Sequence, residues 1–154
     1  MNVKLGFSWI GTMVFVLPML INIVYFIAQR NGDVQGNACP YKWVEIVEQV
    51  TRVLFAIAIC FLLSNQKVEW KSPFLYVSLG FLVLYYIVWI RYFMGGMDVS
   101  LMSKSFLFIP IPLAVFPVHY YLFASLWLHN FIASAIILVF GIAHYAVSYL
   151  SFRG

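Results

Sequence analysis

The sequence predicts an all-α, polytopic transmembrane bundle of about five helices. Three observations carry that prediction. Hydrophobic residues fill 64% of the 154 positions and charged residues only 9%, against roughly 45–50% and about 25% in soluble domains. Mean hydropathy is +0.96. The apolar residues also gather into runs of about 20, the length a helix needs to cross a hydrocarbon core of about 30 Å. In water that much exposed apolar surface would cost about 25 cal/mol per Å², and lipid removes the cost.

The first run covers about residues 5–28 and ends at Gln29-Arg30-Asn31-Gly32-Asp33. Lys4 ahead of it imitates a signal peptide, but the apolar core is too long for an h-region and Gln29-Arg30 is a poor cleavage context. The segment is therefore expected to stay as a helix. The second run, about 44–64, stops at Asn65-Gln66-Lys67, and the third, about 73–93, at Gly95-Gly96 and Asp98. The fourth, about 106–128, is followed by the short turn His129-Asn130 and then by the fifth, about 131–152. No repeat, low-complexity tract or linker divides the chain, so residues 1–154 read as one transmembrane helical domain.

Lys and Arg in the short loops orient such a bundle. The N-terminal side carries Lys4, Lys67 and Lys71, and the opposite side carries Arg30, Lys42, Arg91, Lys104 and Arg153. This favours the second face as cytoplasmic, with the N-terminus outside and the C-terminus inside. The net charge of +4 fits contact with anionic headgroups, and no basic stripe points to nucleic acid. Membrane lipids and a small hydrophobic ligand are the expected partners, and the oligomeric state is left open.

Several chemistries lack their signatures. There is no GxSxG, HExxH, GxxxxGK[ST] or GxGxxG motif and no CxxC. Cys39 lies in a loop and Cys60 inside the second span, at different depths, so they make a poor disulfide pair. The acidic residues Asp33, Glu45, Glu48, Glu69 and Asp98 all avoid mid-span positions, which disfavours an intramembrane aspartyl protease.

What remains is a set of polar residues at membrane depth, where an ionisable group costs about 2.5–3.5 kcal/mol and usually faces the bundle interior. Glu45, Glu48, Gln49 and Arg52 share one face of the second span by their spacings of three and four. This stripe is either an interfacial turn with Arg52 snorkelling or one wall of an interior polar pocket. Arg52 stands roughly 12 Å along the helix from Val44, and Glu48–Arg52 is an acid-to-base pair in the favourable order. The same rise puts His144 about 20 Å down the fifth span, near the level of Arg52, with His119 about 14 Å below the outer surface. Arg91 closes the third span near the level of Glu45. Glu45, Glu48, Arg52, Arg91 and His144 are thus candidates for one cluster, and each histidine is equally able to be a structural hydrogen-bonding group. Two such histidines bring a b-type haem to mind, but spans joined by a two-residue turn leave little room for a ring ligated from both sides. No cofactor or metal is expected.

The fourth span opens with Ile109-Pro110-Ile111-Pro112 and carries Pro117 further on. Prolines remove backbone donors and disfavour helix before them, so this span is either a kinked helix or a broken one lining a site. A cavity bordered by Pro112, His144 and Arg52 is the expected consequence, with His144 donating to a freed carbonyl. Aromatics make up 19% of the chain. Trp9, Trp43, Trp70 and Trp127 suit an interfacial belt. Tyr85, Tyr86, Trp89, Tyr120, Tyr121 and Tyr145 sit deeper, as core packing or as the wall of an amphipathic pocket.

Lys4-Leu5-Gly6-Phe7-Ser8, Trp89-Ile90-Arg91-Tyr92-Phe93, Ile109-Pro110-Ile111-Pro112 with Pro117, and Gly141-Ile142-Ala143-His144 together resemble a group of small bacterial five-span membrane proteins to which no activity is attached. The resemblance implies a bacterial plasma or inner membrane and draws attention to Arg91, Pro110, Pro112 and His144. In architecture alone, the five-span size is similar to the tryptophan-rich sensory (translocator) proteins. Three functions are consistent with these residues. The first is binding or transport of a small amphipathic or lipid-like ligand through Glu45, Glu48, Arg52, Arg91, Pro112, His119 and His144. The others are a membrane enzyme acting on a lipid, with His144 or Glu48 as acid–base, and a non-catalytic structural or regulatory subunit.

Overall fold

A computed structural model describes residues 3–28, 41–98 and 100–153. In chain order the elements are β1 (Val3–Leu5), α1 (Trp9–Ala28), α2 (Lys42–Phe61), β2 (Leu62–Ser64), α3 (Pro73–Met94), α4 (Ser100–Ser103), α5 (Pro112–Trp127) and α6 (Phe131–Arg153). Among the described residues, α1, α3 and 131–151 of α6 are long and apolar enough to cross a membrane. Their outward faces suit lipid, with Ile27 69% and Ile142 73% exposed. The chain is accordingly an all-α membrane protein. The other two long helices differ for physical reasons. Lys42, Glu45, Glu48 and Arg52 charge the first half of α2. The 16 residues of α5 span about 24 Å at 1.5 Å per residue.

The five long helices alternate in direction. Nitrogens and carbonyls that meet at one end all belong to the start of α1, α3 or α6 or to the end of α2 or α5. The Ser8 amide donates to the Cys60 carbonyl at 2.8 Å, joining the start of α1 to the end of α2. The Trp127 indole donates to the Glu69 carbonyl at 2.8 Å, joining the end of α5 to the entry of α3. Asn130 ties the start of α6 to the end of α2. Around the bundle α2 packs on α6, α6 on α5 and α5 on α3, while α1 touches α2, α3 and α5.

At this tied end the sequence expectation of helix from residue 5 and to residue 64 fails. Residues 3–5 and 62–64 are instead an antiparallel ribbon with Val3 opposite Ser64 and Leu5 opposite Leu62. Ser8 explains where the ribbon stops. Its hydroxyl accepts the Gly11 amide at 2.9 Å, an N-cap that starts α1 only after it. Gly11 then permits a close backbone approach, because a Cβ there would stand 1.9 Å from the Ile59 carbonyl oxygen. Asn130 completes the junction. Its amide donates to the carbonyls of Ala58 and Leu62 at 2.9 Å each, and its Oδ1 accepts the Ala133 amide at 3.0 Å. One buried side chain therefore caps α6 and satisfies the end of α2.

Halfway along, α1 is held by tyrosines. Pro18 inside α1 withdraws the amide that the Val14 carbonyl would accept, and the Tyr120 hydroxyl donates there instead at 2.9 Å. Tyr121 donates to the Phe15 carbonyl at 2.9 Å and Tyr86 to the Leu17 carbonyl at 2.6 Å. Tyr85 donates to Asn22 Oδ1 at 2.8 Å. These deep tyrosines bind helices together through a proline break, as backbone polarity in lipid demands.

The α3–α5 connection also departs from the sequence reading, which placed helix from residue 106. Phe106 and Ile109 exchange backbone bonds of 3.1 and 3.0 Å, and Leu107 and Phe108 between them have φ of +50° and +64°. This is the two-residue hairpin geometry that normally selects Asn-Gly. Ile111 follows at φ +51°, and α5 begins at Pro112, where a missing amide costs nothing because the first helical turn has no partner for it.

Candidate functional site

Away from the ribbon end, a cavity of about 400 Å³ opens between all five long helices. Its polar wall is Arg52 from α2, His144 and Ser148 from α6, and Asn22 from α1. The rest is mainly aromatic and aliphatic, including Tyr25, Trp89, Tyr121 and Phe140, with Met102 of α4 at one edge. The volume lies within the range of small-molecule sites, about 300–1,000 Å³.

The polar wall is organised around Glu48. Its carboxylate is nearly buried, and the Oε1 atom receives both Arg52 Nη2 and His144 Nδ1, the latter at 3.0 Å. Positions 48 and 52 on α2 are one turn apart, so the acid and the base share a face. Position 144 on α6 meets them because α2 and α6 run antiparallel and in contact. Phe140, one turn before His144, stacks on the imidazole at 5.0 Å and lies under the Arg52 guanidinium at 5.8 Å. The two polar heads are thus fixed by a carboxylate on one side and a ring on the other. With Nδ1 engaged, Nε2 is the imidazole nitrogen left to meet an occupant of the cavity. Arg52 has a half-exposed side chain and separates the cavity from a second groove lined by Glu45, Glu48, Gln49 and Val147.

The candidates from the sequence divide accordingly. Glu48, Arg52 and His144 come together, with Glu45 on the adjoining groove. Arg91 stands elsewhere. Its Nη2 donates to the carbonyls of Leu101 and Lys104 at 2.9 Å each, its Nη1 donates to that of Ser105 at 3.3 Å, and it lies 5.5 Å over Phe106. It straps the end of α4 and the loop after it, as a cation suits a helix C-terminus. His119 faces α3 and α6. Its Nδ1 and the Tyr145 hydroxyl converge on the Val115 carbonyl at 2.9 and 3.5 Å, and Phe81 covers the ring at 5.0 Å. Pro112 is buried behind the wall to which its neighbours Ile111 and Leu113 contribute.

His144 bonds a carboxylate rather than the freed carbonyl expected of it. That carbonyl is displaced as well. Pro117, inside α5, is the proline that withdraws a donor from the preceding turn, at Leu113, and both residues line the cavity. Cys60 is a buried free thiol, and Cys39 lies outside the described residues. The sequence reading missed the contribution of α1. Asn22 carried a signal, since a lone amide in an apolar span needs a partner, and Pro18 marked the turn where one would be required.

Comparison with family models, with curated proteins and with solved structures finds no match for this chain.

Proposed function

We propose that this protein is a five-span membrane protein, N-terminus outside and C-terminus cytoplasmic, that binds or transports a small amphipathic, lipid-like ligand in the cavity between its helices. All five long helices alternate, and α2 reaches about 30 Å at the helical rise. Its charges face Glu48's partners and the groove rather than a fully apolar surround. The more basic open end suits the cytoplasmic leaflet of a bacterial plasma membrane.

The observation that carries the reading is the polarity of the cavity. Arg52, His144 and Ser148 occupy one side, and the remainder is apolar and aromatic, which matches a molecule with a polar head and a hydrocarbon tail. A photoreactive single-chain amphiphile added to the protein in mild detergent tests it. Labelling is expected on Tyr121 and Phe140 and is expected to fall at least tenfold in Ser148→Trp, which fills the cavity. Labels confined to outward residues such as Ile57 and Ile142, unchanged in that variant, would instead mean annular lipid.

A second reading rests on the Glu48–His144 pair. A carboxylate that engages Nδ1 leaves Nε2 of this cavity-lining histidine as the nitrogen that can act as a general base. Turnover of a bound lipid ester, lost in His144→Gln with binding intact, supports that reading over simple binding.

A further inference from the structure

We infer that the cavity selects an amphiphile with an anionic head, and that binding this head takes up one proton at His144. The inference rests on the cavity being the binding site. The charges of the polar wall decide the class of ligand. Glu48 and Arg52 form an ion pair whose charges cancel, and among the described residues both bonds to the carboxylate land on Oε1. Arg52 spends Nη2 on that bond, and its other guanidinium N–H groups make no hydrogen bond among the described residues. A guanidinium with open donors is suited to a carboxylate, phosphate or sulfonate head.

The side of Arg52 on which such a head sits is also determined. The groove side of Arg52 already presents the carboxylates of Glu45 and Glu48. The cavity side presents Arg52, His144 and the Ser148 side chain, with no acidic residue on its wall among the described residues. At about 400 Å³ the space is near the lower end of ligand pockets, which suits one hydrocarbon chain rather than two.

Proton uptake follows from the same count. A head of charge −1 beside a neutral Glu48–Arg52 pair leaves the site at −1 in a medium of low dielectric, where an uncompensated charge is expensive. Protonation of His144 restores neutrality. Its Nδ1–H already points at Glu48, so the added proton goes to Nε2, the atom able to donate to the head. Among the described residues, the other titratable groups on the walls are phenols. Tyr85 is held by Asn22 and Tyr121 by the Phe15 carbonyl, and Tyr25 of α1 completes the set. A nearby anion favours the charged imidazole, and by linkage the charged imidazole favours the anion to the same degree. Affinity for the anion therefore rises as pH falls.

Calorimetry on the whole protein in a non-ionic detergent tests this with decyl sulfonate, whose charge is fixed, and decanol, whose head is neutral. Between about pH 8 and about pH 5, where histidine changes charge, sulfonate binding is expected to tighten by up to about tenfold per pH unit. Buffers of different ionisation enthalpy should report uptake approaching one proton, while decanol binding stays flat. In His144→Gln, which keeps a donor for Glu48, the sulfonate is expected to bind without a pH slope. In Arg52→Gln its advantage over decanol should fall at least tenfold. Decanoate and decyl phosphate at one pH separate a fatty-acid head from a phosphate head, and either outranking decanol supports the anionic preference. Sulfonate and decanol binding alike at every pH, or a slope that survives His144→Gln and so belongs to Glu48, overturns the inference and leaves the cavity reading standing. If neither ligand binds, or Ser148→Trp affects neither, the cavity reading itself fails.

Discussion

The two ends of the bundle solve the same problem with opposite chemistry. At the ribbon end the backbone is satisfied by neutral groups in fixed positions: a strand pair, the Ser8 cap, and Asn130 serving Ala58, Leu62 and Ala133 together. Helices α1 and α2 touch there through Gly11 with no room for a methyl group. At the other end the same two helices admit a cavity, and the polar groups are Glu48, Arg52 and His144, whose charges can change or be shared with a ligand. The difference teaches that in lipid a closed junction is built from groups with nothing left to offer. An open one retains donors, as Arg52 does.

The largest expected effect is at the closed end. Gly11→Val would drive a side chain into the Ile59 carbonyl, and backbone on both sides cannot yield as side chains do. A loss of more than about 3 kcal/mol is expected, read as a fall in thermal unfolding temperature in detergent. A variant as stable as the parent would break the contrast outright.

Asn130→Ala comes next. It removes an N-cap worth about 1 kcal/mol and strands two carbonyl contacts, for a total of about 2–4 kcal/mol. Asn130→Asp keeps the cap but sets a carboxylate against those carbonyls, so it should be no better than Ala. Recovery in Asp would mean that the cap alone matters.

At the open end Arg52→Leu is expected to cost less, about 1–2 kcal/mol, because Arg52 is half-exposed and His144 still supports Glu48. A cost equal to that of Asn130→Ala would make the open end structural. The smallest effect is a gain. Replacing Leu107 and Phe108 by Asn and Gly relieves two left-handed residues, each costing about 1–2 kcal/mol. Phe108 is fully exposed and buries nothing, but glycine in its place gives the unfolded chain more freedom to lose, so denaturation should show about 1 kcal/mol of added stability.

Much of the helical frame was readable from the chain. The polar breaks after residues 28, 64, 93 and 128 lie within a few residues of the helix ends, because each apolar run must end where water begins. The ribbon was not readable, since Val3-Lys4-Leu5 and Leu62-Leu63-Ser64 look like the ends of apolar runs and pair only across 57 or more positions. The unwinding before Pro112 was half visible: proline spacing announced a break but could not locate the freed carbonyl. At the site, Glu48, Arg52 and His144 could be matched by depth alone. Arg91 has a similar depth but points to another sector, because helical rise fixes height and says nothing of direction around the bundle. Phe140 gained meaning only from the neighbours that the fold gave it.

The most direct test of a ligand-holding open end is a high-resolution density map of the protein in lipid nanodiscs. An elongated density is expected among Tyr121, Trp89 and Phe140, with its head within hydrogen-bonding distance of Arg52 and His144 Nε2. A map in which α1 closes onto α2 at Arg52, leaving side chains packed together and no such density, would contradict it.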